Sequence, residues 1–385
     1  MREGPWIWQS AQWPTLRYDE SALEAPLRRA RAECGRLFGK AEAIAIEDLA
    51  RVEGDVWSRE AVATAAIEGE VIELASVRSS VARRLGLDGA PSVGTPRSVE
   101  GLLDVMENAA EAWTSELTVE RLCRWQAALF PAGGSALRSV ETGRLRTHDD
   151  PMQIVSGPIG RERVHYVAPP SAAVPGALQQ FLEWFNGTRE GGLDGVLRAG
   201  LAHVWFESIH PFEDGNGRVG RAVVDLALAQ DVRRSTRLHA VSSELRRRQR
   251  EYYDALNEAQ RGDGDVTAWL AWFIEVFTES CRVRAALIDE SLARARFWNE
   301  HKQLALNERQ RKVLNRMLEA GPGRFVGGLT PRKYVALTGT SSVTAWRDIA
   351  ELVKSGLLVK GEAAGRSTYY NLALAGWGWV PEPAS

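Results

Sequence analysis

Cysteine is scarce in this 385-residue chain. Cys34, Cys123 and Cys281 form an odd, scattered set, which argues against a disulfide framework and fits reduced thiols in a cytosolic protein. No apolar run is long enough to span a bilayer. The opening Met-Arg-Glu-Gly-Pro-Trp-Ile-Trp lacks the apolar region of a signal peptide, so the expectation is a cytoplasmic protein with no membrane attachment. An excess of one charge is missing as well. The 48 Lys and Arg nearly balance the 50 Asp and Glu, which leaves no chain-wide attraction to nucleic acid or anionic lipid. Low-complexity tracts and short-period repeats are also absent. What remains is ordinary for a globular protein, with 44% hydrophobic and 25% charged residues and length for two or three domains.

One stretch is not ordinary: His210-Pro-Phe-Glu-Asp-Gly-Asn-Gly-Arg-Val-Gly-Arg221. A glycine-rich turn that opens a helix presents free N–H groups and the positive end of the helix dipole to an anion. Gly215 and Gly217 permit positive φ and a close backbone approach. Arg218 and Arg221 lie three apart on one helical face, where both can grip phosphate oxygens. Asp214 is a hard oxygen ligand beside those phosphates, the setting in which Mg²⁺ is usually held. His210 can take a proton near neutral pH. The bland alternative is a helix–loop–helix junction with a satisfied histidine and solvated arginines, but packing alone has no use for so many special residues in a row. Further upstream, Arg59–Ile67 is alanine-rich and reads as a helix that ends near Gly69. It carries Thr64-Ala-Ala-Ile-Glu68-Gly69.

The 210–221 stretch resembles the signature of the Fic family at every fixed position, and 64–69 resembles the family's inhibitory motif. The resemblance implies transfer of AMP from ATP to a Ser, Thr or Tyr hydroxyl of a target protein. His210 would be the general base, and Asp214 would bind Mg²⁺. Gly215, Asn216 and Gly217 would line the anion hole, with Arg218 on the β-phosphate and Arg221 on the γ-phosphate. Phe212 would be a core plug. Related toxin kinases have a lysine where this chain has Gly217, and the glycine fits nucleotidyl transfer. Glu68 would form a bidentate pair with Arg221, and Thr64 would fix the inhibitory helix by a hydrogen bond to backbone or to Glu68. Removal of AMP by the same site stays open.

The fold expected is mainly α, a Fic-type helical core with a β-hairpin flap and a C-terminal winged helix-turn-helix. The divisions are 1–115 (with an inhibitory helix at about 58–69), 116–300 for the catalytic domain and 306–375 for the winged helix. Helices are expected over 97–113, 118–129, 174–187, 194–209, 242–261 and 266–297. The hairpin spans 152–167 around Gly157-Pro-Ile-Gly160. It resembles the flap that would hold a target peptide by strand addition near 153–167. Trp6, Trp8 and Trp13 fit core packing, and His203 a packed or hydrogen-bonded histidine. Tyr252, Tyr253 and Asn257 have spacings that could meet an adenine.

Helices at 308–320, 330–337 and 341–355 precede two strands near 357–360 and 367–372. Over 307–375, eleven Lys and Arg face five Asp and Glu. That excess suits DNA phosphates, with Thr344 and Arg347 facing the groove and Lys360 and Arg366 on the wing; a protein-binding wing is the alternative. Other functions stay open: a DNA-binding regulator whose Fic module senses nucleotide, or transfer from a different nucleotide or phosphodiester donor. A homodimer also stays open, since relatives often dimerise.

Overall fold

In the computed structural model the described residues are 5–44, 46–87, 94–131, 134–135, 138–156, 163–234, 238, 241–362 and 368–380. The protein is mainly helical and divides into two compact units, Met1–Ala285 and Ala286–Ser385. No described helix is long and apolar enough to cross a membrane.

In the first unit, α1 (Glu20–Glu42) starts where the Asp19 carboxylate caps Ser21 and Ala22. It is followed by α2 (Ile46–Ile67), α3 (Leu74–Arg84), α4 (Arg97–Glu111) and α5 (Val119–Leu129). Thr118 caps α5 as its sequence position indicates, accepting from Arg121 N. Two short strands, β1 (Gly134–Ser135) and β2 (Arg138–Ser139), precede the hairpin of β3 (Gln153–Ser156) and β4 (Arg163–Val167). The hairpin pairs Ile154 with Tyr166 and Val155 with Val164, with an irregularity between Ile154 and Val155. Its Gly-Pro-Ile-Gly turn lies outside the described residues.

Next come α6 (Val174–Gly187), α7 (Gly195–Ile209) and α8 (Asn216–Val232). Every residue of α7 is buried, so it runs through the centre of the core rather than along its surface. Close crossings depend on missing side chains. A Cβ on Gly101 of α4 would lie 1.8 Å from Ala128 O of α5, and one on Gly220 of α8 would lie 2.4 Å from Glu207 Oε1 of α7. The expected single helix over 242–261 is instead α9 (Val241–Arg247) and α10 (Gln249–Ala259), broken at Arg248 with φ −107° and ψ 33°. The long α11 (Thr267–Glu300) follows. The tryptophans make packing contacts but are only half-buried, at the edge of the core rather than inside it. Trp6 meets Tyr166 edge-on at 5.2 Å, Trp13 meets Trp205 at 6.2 Å, and Trp8 Nε1 donates to Val167 O at 2.7 Å.

In the second unit, α12 (Glu308–Ala320), α13 (Pro331–Thr338) and α14 (Ser342–Lys354) begin at the side-chain caps Asn307, Thr330 and Ser341. An antiparallel pair, β5 (Leu358–Lys360) and β6 (Tyr370–Leu372), completes it. Residues 363–367, including Arg366 of the expected wing, lie outside the described residues. Val313, Leu314, Met317, Tyr334, Ile349, Leu352 and Leu358 form its core. The outward side of α14 exposes Val343, Trp346 and Val353 beside Arg347.

Candidate active site

The site is built where α7 hands over to α8. His210 ends α7 in the left-handed region, with φ 50° and ψ 61°. Asn216 laces the following loop shut: its Oδ1 accepts from Phe212 N at 2.9 Å, and its Nδ2 donates to Phe212 O at 2.8 Å. Phe212 itself is fully buried, as expected of a plug. Because the Asn216 side chain is spent on the loop, only its backbone N–H is left for a ligand. Gly215 has φ 85°, and a Cβ there would touch the Phe130 ring at 2.9 Å. Gly217 does not take positive φ; it lies inside α8. Its missing side chain matters for a different reason: a Cβ would sit 2.3 Å from Glu68 Oε1. The amides of Asn216, Gly217 and Arg218 form the first turn of α8, where no earlier helical carbonyl is available to them.

Both arginines are buried, Arg218 at 6% and Arg221 at 3% exposure, and both are engaged by the segment that ends α2. Arg221 Nη2 donates to Glu68 Oε1 at 2.8 Å and to Thr64 O at 3.0 Å; its Nε donates to Thr64 Oγ1 at 2.6 Å. Thr64 therefore grips Arg221 with both oxygens, where the resemblance implied a hydrogen bond to backbone or to Glu68. The Glu68 pair is a single hydrogen bond rather than a bidentate one. Burial opposes charge on Arg221, yet the neighbouring Glu68 carboxylate raises its pKa above the ordinary value. Arg218 Nη1 donates to Glu70 Oε1 at 2.6 Å, its guanidinium stacks 4.9 Å from the Phe130 ring, and Asp214 Oδ1 is 3.8 Å away. Arg218 Nε and Arg221 Nη1 are buried without hydrogen-bond partners. Such orphaned cationic donors are what an incoming anion would satisfy.

Gly69 brings the two carboxylates together. With φ 79° it reverses the chain after α2, and Glu70 N returns to Ala65 O at 3.0 Å. Tyr253 Oη and Gln249 Nε2 donate to Ile67 O at 3.0 and 3.1 Å and tether the same end. Tyr253 is thus tied to α2. Tyr252 is buried in a stack, its hydroxyl 2.9 Å from His203 Nε2, and His203 is a packed, hydrogen-bonded histidine.

Burial, and next the charge of Arg146, push the His210 imidazole down to about 4. The ring is therefore neutral near pH 7, the state a base requires. Glu207, one turn earlier on α7, is pushed up to about 8 by burial and by repulsion from Glu68. Its Oε2 lies 3.8 Å from His210 Nδ1, too far for a hydrogen bond. Asp214 Oδ1 accepts from Gly215 N at 2.6 Å, and the side chain is 45% exposed. No group of three or more metal-ligating side chains occurs among the described residues. One accessible carboxylate beside a phosphate cradle suits a magnesium ion that takes its other ligands from the nucleotide and water. Glu70, Arg146, Glu207 and Phe130 were not singled out from sequence. Only Glu70 carries a local signal, an acid placed one residue beyond the Glu68-Gly69 pair.

Residues 116–228 match a family model described as Fic/DOC family, and residues 6–87 match one described as a domain of unknown function (DUF4172). The chain is 26% identical over 185 residues to the protein adenylyltransferase Fic of Drosophila ananassae, covering 47% of this chain and 33% of that protein. It is 33% identical over 94 residues to a probable protein adenylyltransferase of Aquifex aeolicus, covering 24% of this chain and 26% of that one. The matches thus span a third or less of the length of these curated relatives. Among solved structures, a Fic family protein from Desulfovibrio desulfuricans has a TM-score of 0.50 at 21% identity, over 90% of this chain and 95% of that one. Fic-1 from C. elegans has a TM-score of 0.50 at 20% identity, over 70% and 75%. At those identities the likeness is one of fold.

Proposed function

We propose that this chain, which carries a Fic/DOC-family domain, is an autoinhibited protein adenylyltransferase that moves AMP from ATP to a hydroxyl side chain of another protein. The observation that carries this reading is the placement of a neutral His210 at the mouth of a helix N-terminus flanked by two buried, incompletely satisfied arginines. Arg218 would hold the β-phosphate and Arg221 the γ-phosphate, with the first-turn amides of α8 around the anion. His210 would take the proton of the target hydroxyl as its oxygen bonds to the α-phosphorus; the bond to the β-phosphate's bridging oxygen breaks and pyrophosphate leaves. Such transfer asks for position and charge neutralisation more than for covalent help. Asp214 would hold Mg²⁺, which neutralises phosphate charge when bound. The hairpin of β3 and β4 would take an extended target segment along its edge.

The resting site is occupied by its own carboxylates. Glu68 on Arg221 and Glu70 on Arg218 stand where two phosphates would, so both arginines must be surrendered before a triphosphate seats fully. In the C-terminal unit, read as a winged helix-turn-helix, the exposed apolar surface of Val343 and Trp346 favours a protein partner over DNA, because Val343 offers phosphate or base edges no hydrogen bond and Trp346 only its single indole N–H.

Incubating the Glu68→Gly protein with α-labelled ATP, Mg²⁺ and a cell lysate tests the assignment. A labelled protein band that vanishes with His210→Ala is expected. Label transfer that survives loss of His210, or none from the Glu68→Gly protein, would overturn it.

A further inference from the structure

His210 holds a left-handed conformation that costs a non-glycine residue roughly 1 kcal/mol or more, so something outside the loop must hold it there. The structure shows what does. Arg146, at 2% exposure, lies on the irregular segment between β2 and β3. Its Nε donates to His210 O at 2.8 Å, and its own backbone N donates to Pro211 O at 3.0 Å. Its Nη2 donates to Pro169 O at 2.6 Å, with a longer contact to Ile209 O at 3.4 Å. Its Nη1 donates to Ser171 Oγ at 2.9 Å. Each of these acceptors is a neutral oxygen. A buried guanidinium is ordinarily matched by a carboxylate, and burial here pushes Arg146 down to about 10, still charged at neutral pH. A positive charge kept at that cost, with carbonyl acceptors from two separate segments, has a positional use.

The two segments it joins are the ones that must be in register for transfer. Pro169 lies two residues past the end of β4, and Ile209–Pro211 is the turn that carries the base. A second tie runs parallel: Tyr166 Oη of β4 donates to Ser208 O at 2.6 Å. Arg146 reaches neither the Glu68 and Glu70 carboxylates nor the arginines they hold. We propose that Arg146 is a positioning residue that locks His210 to the base of the hairpin, so that a hydroxyl held on that hairpin meets the imidazole at a set distance. The proposal rests on the transferase reading for its kinetic consequence but not for the lock itself. Lysine cannot replace the arginine, because a single ammonium cannot reach three directions with a planar fork.

The test uses the full chain in a Glu68→Gly background, with Arg146→Met and Arg146→Lys compared to the parent. ATP affinity is measured by calorimetry, turnover by pyrophosphate release during self-modification, and the lock by hydrogen exchange at 163–170 and 208–212. Both variants should bind ATP within about twofold of the parent and lose about 100-fold in kcat, the scale of a misplacement near 1 Å. Both regions should exchange faster, while the melting profile keeps the shape of the parent's. Should Arg146→Met fail to fold, Arg146→Lys keeps the charge and loses the fork, and carries the same expectation. Turnover within threefold of the parent, unchanged exchange, or ATP affinity falling in step with kcat would each overturn the proposal. A parent that releases no pyrophosphate would sink the transferase reading instead, and the exchange measurement would still decide whether Arg146 holds the turn.

Discussion

Removing the two carboxylates should tighten nucleotide binding by unequal amounts. Glu68 is 28% exposed and bonds a buried Arg221, while Glu70 is 45% exposed on Arg218. A hydrogen bond to a charged group of the first kind is worth roughly 1.5–3 kcal/mol. An ion pair with one largely solvated partner is worth less than about 1 kcal/mol. On the proposed reading a triphosphate displaces both, so each deletion returns its own contribution to binding. Glu68→Gly should therefore raise MgATP affinity about 30-fold, equivalent to about 2 kcal/mol, and Glu70→Gln by no more than about fivefold. Glu68→Ala, which leaves the helix end undisturbed, should match Glu68→Gly. The double variant should exceed either single one. Because Thr64 still grips Arg221 by two hydrogen bonds, the arginine should stay in place for the incoming phosphate. Isothermal titration of each variant with MgATP, in a His210→Ala background to prevent turnover, reads these affinities directly. Wild-type affinity in Glu68→Gly, or a larger gain from Glu70→Gln than from Glu68→Gly, would refute the reasoning that these carboxylates hold phosphate positions.

Three further outcomes follow from burial and from close packing. With the His210 pKa lowered to about 4, turnover of the Glu68→Gly protein should stay flat from pH 8 down to about pH 5, once the nucleotide's own titration is subtracted; an acid limb at the 6.5 of a free imidazole would contradict it. The same depression means the unfolded chain binds this proton first, so the contribution of His210 to stability is intact above pH 6.5 and is lost as pH falls towards 4, a slope that His210→Gln should remove from the melting curves. Gly101→Ala should destabilise the protein by about 1–3 kcal/mol or more in urea unfolding, because its Cβ would lie 1.8 Å from a backbone oxygen of α5; the gain of about 1 kcal/mol in helix propensity is too small to offset that clash.

Much of the architecture was legible locally. Capping side chains at Thr118, Asn307, Thr330 and Ser341 begin helices where their hydroxyl or amide can take the first free N–H groups. Alternating β-branched residues around 152–167 formed the hairpin. The break at Arg248 was missed because the amphipathic pattern runs through it unbroken. The adenine reading of Tyr252 came from spacing alone, and burial beside His203 and Trp269 placed that ring in the core.

The sequence by itself determined the chemistry on offer: the imidazole, the glycine turn, the paired arginines and the acid in the upstream motif all sit within short windows, where spacing sets geometry. The family resemblance implied that Glu68 meets Arg221; only the tertiary structure decided the form of that contact and brought Glu70 to Arg218 and Arg146 to His210. Glu68 lies 153 residues from Arg221, and Arg146 lies 64 residues from His210, separations over which no local periodicity carries information. It also decided which way the titrations shift, His210 down and Glu207 up, since both follow from the water that folding excludes around them, and burial is a property of the assembled core.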